Sequence, residues 1–278
     1  MDPIELAELI YKQATEKKYT YKINIYNETN EDLYEIFNNY DMFDKDVLTV
    51  LASSDQLFSC YAKNAKSVDT FDMEYTTLYY YYLRKWFVLY KDLICIPHEM
   101  FIKSEPKLYS FISSIVTKSE NEKNAKAFWM KYLELHNHTL GTSLFIINNY
   151  KYEKLFASNT DSLKLKLQKD PTFYNLNISR DIDIDTQYDI IILSNILEYY
   201  NSRVRLPKIR DNIEKLLNDD GIAICSTIIE NNRFNASSHQ KEIDIMTSNK
   251  LELLNEINYY DDKYKTNSKI AYTYKKSR

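Results

Sequence analysis

The feature that most narrows the fold is a buried strand that runs directly into a polar turn and a helix. Residues 47–56 read VLTVLASSDQ. Val, Leu, Thr and Val give the short apolar run of a strand covered on both faces. Ala52, Ser53, Ser54 and Asp55 then turn the chain, and Leu57, Phe58 and Tyr61 recur at helical spacing. Residues 67–72, SVDTFD, read as a second strand ending in an acid. Strand, helix and strand in that order make a parallel unit with a right-handed crossover.

The alternation extends along the chain. Residues 75–93, YTTLYYYYLRKWFVLYKDL, form a long helix that is aromatic on nearly every side and so expected to be buried. Further on, TFYNLNI and YDIIILS read as strands, and RLPKIRDNIEKLL as a helix with Pro207 in its first turn. NDDG reads as a turn, IAICSTII as another strand, and about Glu252–Tyr260 with Lys269–Lys275 as an antiparallel hairpin at the sheet edge. Between 97 and 165, PKLYSFISSIVTK, EKNAKAFWMKYLELH and TLGTSLFIINNYKYEKLF read as helical pieces with no convincing strand. The start, MDPIELAELIYKQ, is an acidic amphipathic helix rather than a signal peptide. An extended polar stretch and a short helix around Asp32 to Asn38 follow it. The expected fold is α/β: a Rossmann-like, mostly parallel, doubly wound sheet. Its parts are an N-terminal helical and extended segment (1–40), a first half (41–96), a helical insertion (97–165) and a second half (166–278).

Composition removes several classes of function. A net charge of −4 argues against a nucleic-acid binder, which would normally carry a basic face. Cys60, Cys95 and Cys225 lie far apart and match no metal or redox spacing, as expected in a reducing compartment. No apolar run approaches the length of a membrane span, so a cytoplasmic protein without a transmembrane segment is expected. The 26 tyrosines accompany many Asn, Lys and Ile residues, the mark of an AT-rich coding sequence, so each is read first as packing. No metal site is expected. His136 and His138 lack a third ligand, and the Asp-x-Asp-x-Asp run from Asp181 has Thr186 and Ile192 where a calcium loop needs Gly and Glu. Arg203, Arg205, Lys208 and Arg210 read as a solvated face. Oligomeric state has no signal in the sequence.

In an open parallel sheet, ligands sit beyond the carboxyl ends of the strands where the winding reverses. The first strand delivers Ala52, Ser53, Ser54 and Asp55 to that edge, just before a helix whose first N–H groups are free for an anion. Asp72, followed by Met73, ends the second strand, where an acid can accept both hydroxyls of a ribose. Asp181 and Ile182 follow the third strand, where a nucleobase amino group can be met. Ser194 and Asn195 close the fourth strand, on the side from which an acceptor is addressed. The bland alternative is an ordinary βαβ unit with a capping serine and a solvated aspartate. The turn has no glycine, and a pyrophosphate needs several close backbone approaches that glycine supplies. A nucleoside with an amino-acid tail needs less room, and Asp55 stands where it would pair with the tail's ammonium. S-adenosylmethionine therefore fits better than NAD.

Four segments together give a family resemblance: IYNETNEDLYEI, VLTVLASSDQ…VDTFDMEYTTLYYYYLRKW, AFWMKYLELHNHTLGTSLFIINNYKYEKLF and YDIIILSNILEYY. In that order, over most of residues 21–225, they resemble class I S-adenosylmethionine-dependent transferases. Within these the chain is most similar to the betaine-lipid family of 3-amino-3-carboxypropyltransferases. The first segment departs from the family in having Thr-Asn before Glu31 and Asp32, where the family has Cys-Trp. The resemblance implies an enzyme that moves the aminocarboxypropyl group to a small-molecule or lipid-like acceptor and releases methylthioadenosine. It places the acceptor near Asn195, Tyr199, Tyr200, Tyr26 and the helix carrying Tyr79 to Tyr82, with a tyrosine or Glu198 relaying the proton. Methyl transfer and a non-catalytic binding fold are the alternatives.

Overall fold

The computed structural model describes residues 1–16, 25–26, 31, 33–97, 99–140, 145–146, 160–194, 196–199, 205–228, 236–261 and 266–277. Helix α1 (Pro3–Glu16) opens the chain, and α2 (Leu33–Asn38) leads into β1 (Asp46–Val50). Then come α3 (Asp55–Ala62), β2 (Ser67–Asp72) and α4 (Tyr75–Lys91). Helices α5 (Glu99–Ile102), α6 (Pro106–Ser114), α7 (Glu120–Leu135) and α8 (Thr160–Lys166) precede β3 (Phe173–Asn175) and β4 (Tyr188–Ser194). The chain closes with α9 (Ile196–Tyr199), α10 (Arg205–Leu216), β5 (Leu217–Ile228), α11 (Ala236–Met246), β6 (Leu251–Asp261) and β7 (Thr266–Lys276).

The seven strands order as β3-β2-β1-β4-β5-β7-β6. The first five are parallel, and β7 enters antiparallel between β5 and β6. This is the expected Rossmann-like, mostly parallel, doubly wound arrangement, with the expected hairpin supplying the last two strands. Winding runs one way from β1 through β2 to β3 and the other way from β4 to β5. The reversal therefore opens a crevice between β1 and β4.

Both faces of the sheet are covered, which is why its central strands are apolar without alternation. Val47, Ile190 and Ile192 face one core, shared with Leu57 and Phe58 of α3, α4, and Phe128 and Trp129 of α7. Leu48, Val50, Ile191 and Leu193 face the other, closed by Leu206, Ile209 and Ile213 of α10 and by Met246. Helix α4 is wedged between the sheet and α7, and Trp129 donates its indole N–H to the Tyr79 carbonyl at 2.7 Å.

Two readings need correction. NDDG is no turn between helix and strand: α10 passes directly into β5, and the register shifts between Tyr188–Leu217 and Ile190–Ile222. Asp220 takes φ 64° inside that irregularity, so the Asp-Gly pair serves a bulge, whose local chemistry matches that of a turn. Within the segment read as helical, Phe145–Ile146 is extended and pairs parallel with Ile25–Tyr26. The flanking 141–144 and 147–159 lie outside the described residues. Among the described residues no helix is long and apolar enough to cross a membrane.

Candidate functional site

At the carboxyl edge, β1 hands over to a tight turn. Leu51 still bonds to β2 through its N–H and the Phe71 carbonyl (2.9 Å), and the Ser54 N–H then folds back onto the Leu51 carbonyl (2.6 Å). Ala52 has φ 40° and Ser54 φ 73°, in the left-handed region where a Cβ is crowded. Across the crevice, Ser194 at the end of β4 has φ 54°. The other positive-φ residues of the described chain are Asp44, Asn64, Asp92, Asn137, His138 and Asp220, types whose side chains tolerate that region. The three that do not belong to those types all sit on this one edge.

Asp72 ends β2 as expected and is tied to the turn. One carboxylate oxygen accepts from the Ala52 N–H (3.1 Å) and the other from the Glu74 N–H (3.1 Å). Burial raises its carboxyl to about 6, against the lowering effect of those amide bonds. Met73, beside it, is half exposed, and its carbonyl accepts from the Asn175 amide at 2.9 Å.

Asp55 does not stand open to a ligand ammonium. Its carboxylate is buried, accepting from Arg84 Nη1 at 2.7 Å and from the Ser53 hydroxyl at 2.8 Å. Ser53 and Ser54 are wholly buried, while Ala52 is partly exposed. The Ser54 hydroxyl has no hydrogen-bond partner among the described residues.

A second polar cluster lies under the β4 and β5 ends. Gln56 Nε2 donates to Glu31 at 2.8 Å and to the Ser194 hydroxyl at 3.3 Å, and the Ser226 hydroxyl bonds to the other Glu31 oxygen. Glu31 is 1% exposed and lies at the centre of this buried cluster. Gln56, Ser226 and Arg84 escaped the sequence reading. Only Arg84 left a signal there, one of two adjacent charges (with Lys85) within the aromatic run YYYYLRKWF, which burial obliges to find partners.

The remaining predicted residues distribute as follows. Asp181 is exposed and pairs with Lys208, which holds its carboxyl below the usual range, while Ile182 is buried in the core under α10. Asn195 lies outside the described residues. Tyr26, Glu198 and Tyr199 are described in their backbone only, on the short parallel ladder and on α9. Tyr79, Tyr80, Tyr81 and Tyr82 do not wall an acceptor site: all four are buried, with Tyr79 against Phe128 and Tyr80 against Trp129. Burial pushes the Tyr79 phenol up to about 12 and raises Tyr81 and Tyr82 as well, which suits packing and not proton relay. His136 stacks on Tyr132 and His138 meets Tyr109 edge-on; among the described residues no metal-binding group is assembled.

No protein-family model matches the chain, and no curated protein matches it. Solved structures do. N-methyltransferase NodS from Bradyrhizobium japonicum WM9, in complex with S-adenosyl-L-homocysteine, matches at 8% identity over 99% of this chain and 87% of that one, with a TM-score of 0.41. A S-adenosylmethionine-dependent methyltransferase from Clostridium acetobutylicum ATCC 824 matches at 10% identity over 99% of both chains, with a TM-score of 0.45. A TehB-like SAM-dependent methyltransferase from Corynebacterium glutamicum ATCC 13032 matches at 9% over 99% and 98%, with a TM-score of 0.40. With TM-scores this low the likenesses carry no argument, and the fold stands on its strand order. The narrower resemblance to betaine-lipid enzymes gains no support from them.

Proposed function

We propose that the chain binds S-adenosylmethionine in the crevice between β1 and β4 and moves a group from its sulfonium to a small-molecule or lipid-like acceptor. The observation that carries this reading is the strained backbone of Ala52, Ser54 and Ser194 on the two sides of the crevice. Such conformations persist only where the surroundings over-determine them, and they collect at ligand sites.

The residues present fit the nucleoside. The Asp72 carboxylate accepts from the Ala52, Glu74 and Met73 amides, and of its roughly four lone-pair sites one is left for a ribose hydroxyl. The partly exposed Ala52 lets a ligand approach the backbone. Because Asp55 is paired with Arg84, the tail's ammonium needs another partner. When bound, the sulfonium supplies an electrophilic carbon. The protein's part is to hold it against the acceptor and exclude water, an effect worth up to about 7–11 kcal/mol. Asn195, Glu198 and Tyr199, which follow β4 in the chain, and Tyr26, which the family resemblance implies, stay our proposal for the acceptor side.

The nucleoside product names the transferred group. The protein is incubated with S-adenosylmethionine and a cell extract supplying acceptors, and the products are read by mass spectrometry. S-adenosylhomocysteine reports methyl transfer, and methylthioadenosine reports the aminocarboxypropyl transfer that the sequence resemblance implies. Neither product above the protein-free control, at millimolar cofactor, overturns the reading in favour of a non-catalytic fold.

A further inference from the structure

The turn after β1 takes glycine-like angles without glycine, so something else must hold it. Arg84 comes from the middle of α4 and is 0% exposed. Its Nη1 donates to the Ser53 carbonyl at 2.5 Å and to Asp55 at 2.7 Å, and its Nη2 donates to the Ile94 carbonyl at 3.0 Å. The guanidinium lies 4.8 Å from the centre of the Phe58 ring and 6.0 Å from that of Tyr80. The Ser53 carbonyl belongs to the same peptide unit as the Ser54 nitrogen, and that N–H is bonded to the Leu51 carbonyl at 2.6 Å. The peptide plane is thus gripped at both ends, and its orientation sets φ of Ser54. The Ser53 hydroxyl, bonded to Asp55, closes the ring of contacts.

We propose that Arg84 is the positioning residue of the cofactor turn, replacing by a buried fork of hydrogen bonds the conformational freedom that glycine would give. This rests on the cofactor reading above for its effect on binding, though not for its effect on the turn. The fork is what matters: lysine presents one point charge and cannot hold two carbonyls and a carboxylate in fixed directions. If Arg84 serves the turn's angle, a glycine at position 54 makes it dispensable.

The test is a double-mutant cycle of Arg84→Lys and Ser54→Gly, read twice. The first readout is the S-adenosylmethionine dissociation constant. Arg84→Lys alone weakens binding roughly tenfold or more, and in the Ser54→Gly background the loss shrinks to below about threefold, as expected for residues coupled through the peptide unit that joins Ser53 to Ser54. The second readout is the urea midpoint without ligand, where Ser54→Gly raises Arg84→Lys by more than it raises the parent. Should Arg84→Lys fail to fold, the pair Arg84→Met with Asp55→Asn, which leaves no buried charge unpaired, takes its place in the cycle. An equal effect of Arg84→Lys in both backgrounds, in the midpoint as in affinity, overturns the proposal. If the parent binds no cofactor while the midpoints show the coupling, the cofactor reading fails and the role of Arg84 in the turn stands.

Discussion

Asp72 gives the sharpest pH-dependent expectation. Its folded-state pKa is about 6, against 3.8 for an unperturbed side chain. Between those values the folded protein holds a proton that the unfolded chain has released. Stability from this group is therefore fully present below about pH 4 and is lost as pH rises through about 6. With those two values the loss from about pH 4.5 to 7.5 is about 2 kcal/mol. The perturbation is Asp72→Asn. Asparagine offers one carbonyl oxygen where Asp72 accepts from both the Ala52 and Glu74 amides, so the variant carries a constant penalty. A constant penalty cancels when the parent and variant are compared across pH. Urea unfolding of both proteins at four pH values over that range checks it. The parent should lose about 2 kcal/mol relative to Asp72→Asn on going up in pH. Ligand binding carries the opposite sign: a ribose hydroxyl donates to the ionised carboxylate, so cofactor affinity should fall about tenfold per unit below about pH 6 even as the fold gains stability there. A pH-independent stability difference would refute the partly buried, proton-holding Asp72. An affinity that stays flat down to about pH 5 would remove its ribose role.

Three further substitutions test the packing that positions the site. Ser54→Gly should stabilise the free protein by at least about 1 kcal/mol, because relief of left-handed strain and of a buried, unmade hydroxyl bond outweighs glycine's extra unfolded-state freedom; a lower urea midpoint would count against the strain. Lys85 holds both Glu122 (3.0 Å) and Asp170 (2.6 Å) between α4, α7 and the approach to β3. Lys85→Met leaves two carboxylates facing each other and should cost about 3 kcal/mol or more by denaturant unfolding, with a loss under about 1 kcal/mol contradicting a buried cluster. At Gly221 an added Cβ would stand 2.9 Å from the Asn218 carbonyl oxygen, 3.1 Å from that of Asp189 and 3.2 Å from that of Tyr188. All are backbone, so Gly221→Ala should destabilise by about 1–3 kcal/mol in the same measurement, and a neutral result would contradict the bulge geometry.

What could be read from the sequence follows from how far apart the interacting residues are. Strands β1 and β4 announce themselves because burial on both faces demands nearly continuous apolar runs, as in Val47 to Val50, broken only by Thr49, and Ile190 to Leu193. The placing of Ala52–Asp55 and Asp72 at one edge follows from the same order, and the Ala52–Asp72 bond joins them. The Asp55–Arg84 pair does not follow, since its members sit on different helices and nothing local links them. From local sequence Asp55 is expected to stand open to a ligand, although a neighbour in space closes it. Tyr79 to Tyr82 show the converse: the helix that the sequence marks as buried is buried at all four. Tyr79 and Tyr80 pack against α7, and Tyr81 and Tyr82 against Phe58 and Trp86, which leaves no acceptor-facing phenol. The Phe145–Ile146 pairing spans two residues, too few for any periodicity to register.

The claim on which the rest depends is that the β1–β4 crevice holds S-adenosylmethionine through the edge formed by Ala52 and Asp72. Calorimetric titration of the full chain with S-adenosylmethionine, beside Asp72→Ala, tests it most directly. The account predicts saturable binding to the parent and a loss of about 1.5–3 kcal/mol in the variant, the usual worth of hydrogen bonds to a charged group. Absence of binding at millimolar ligand, or equal affinity in both proteins, would contradict it.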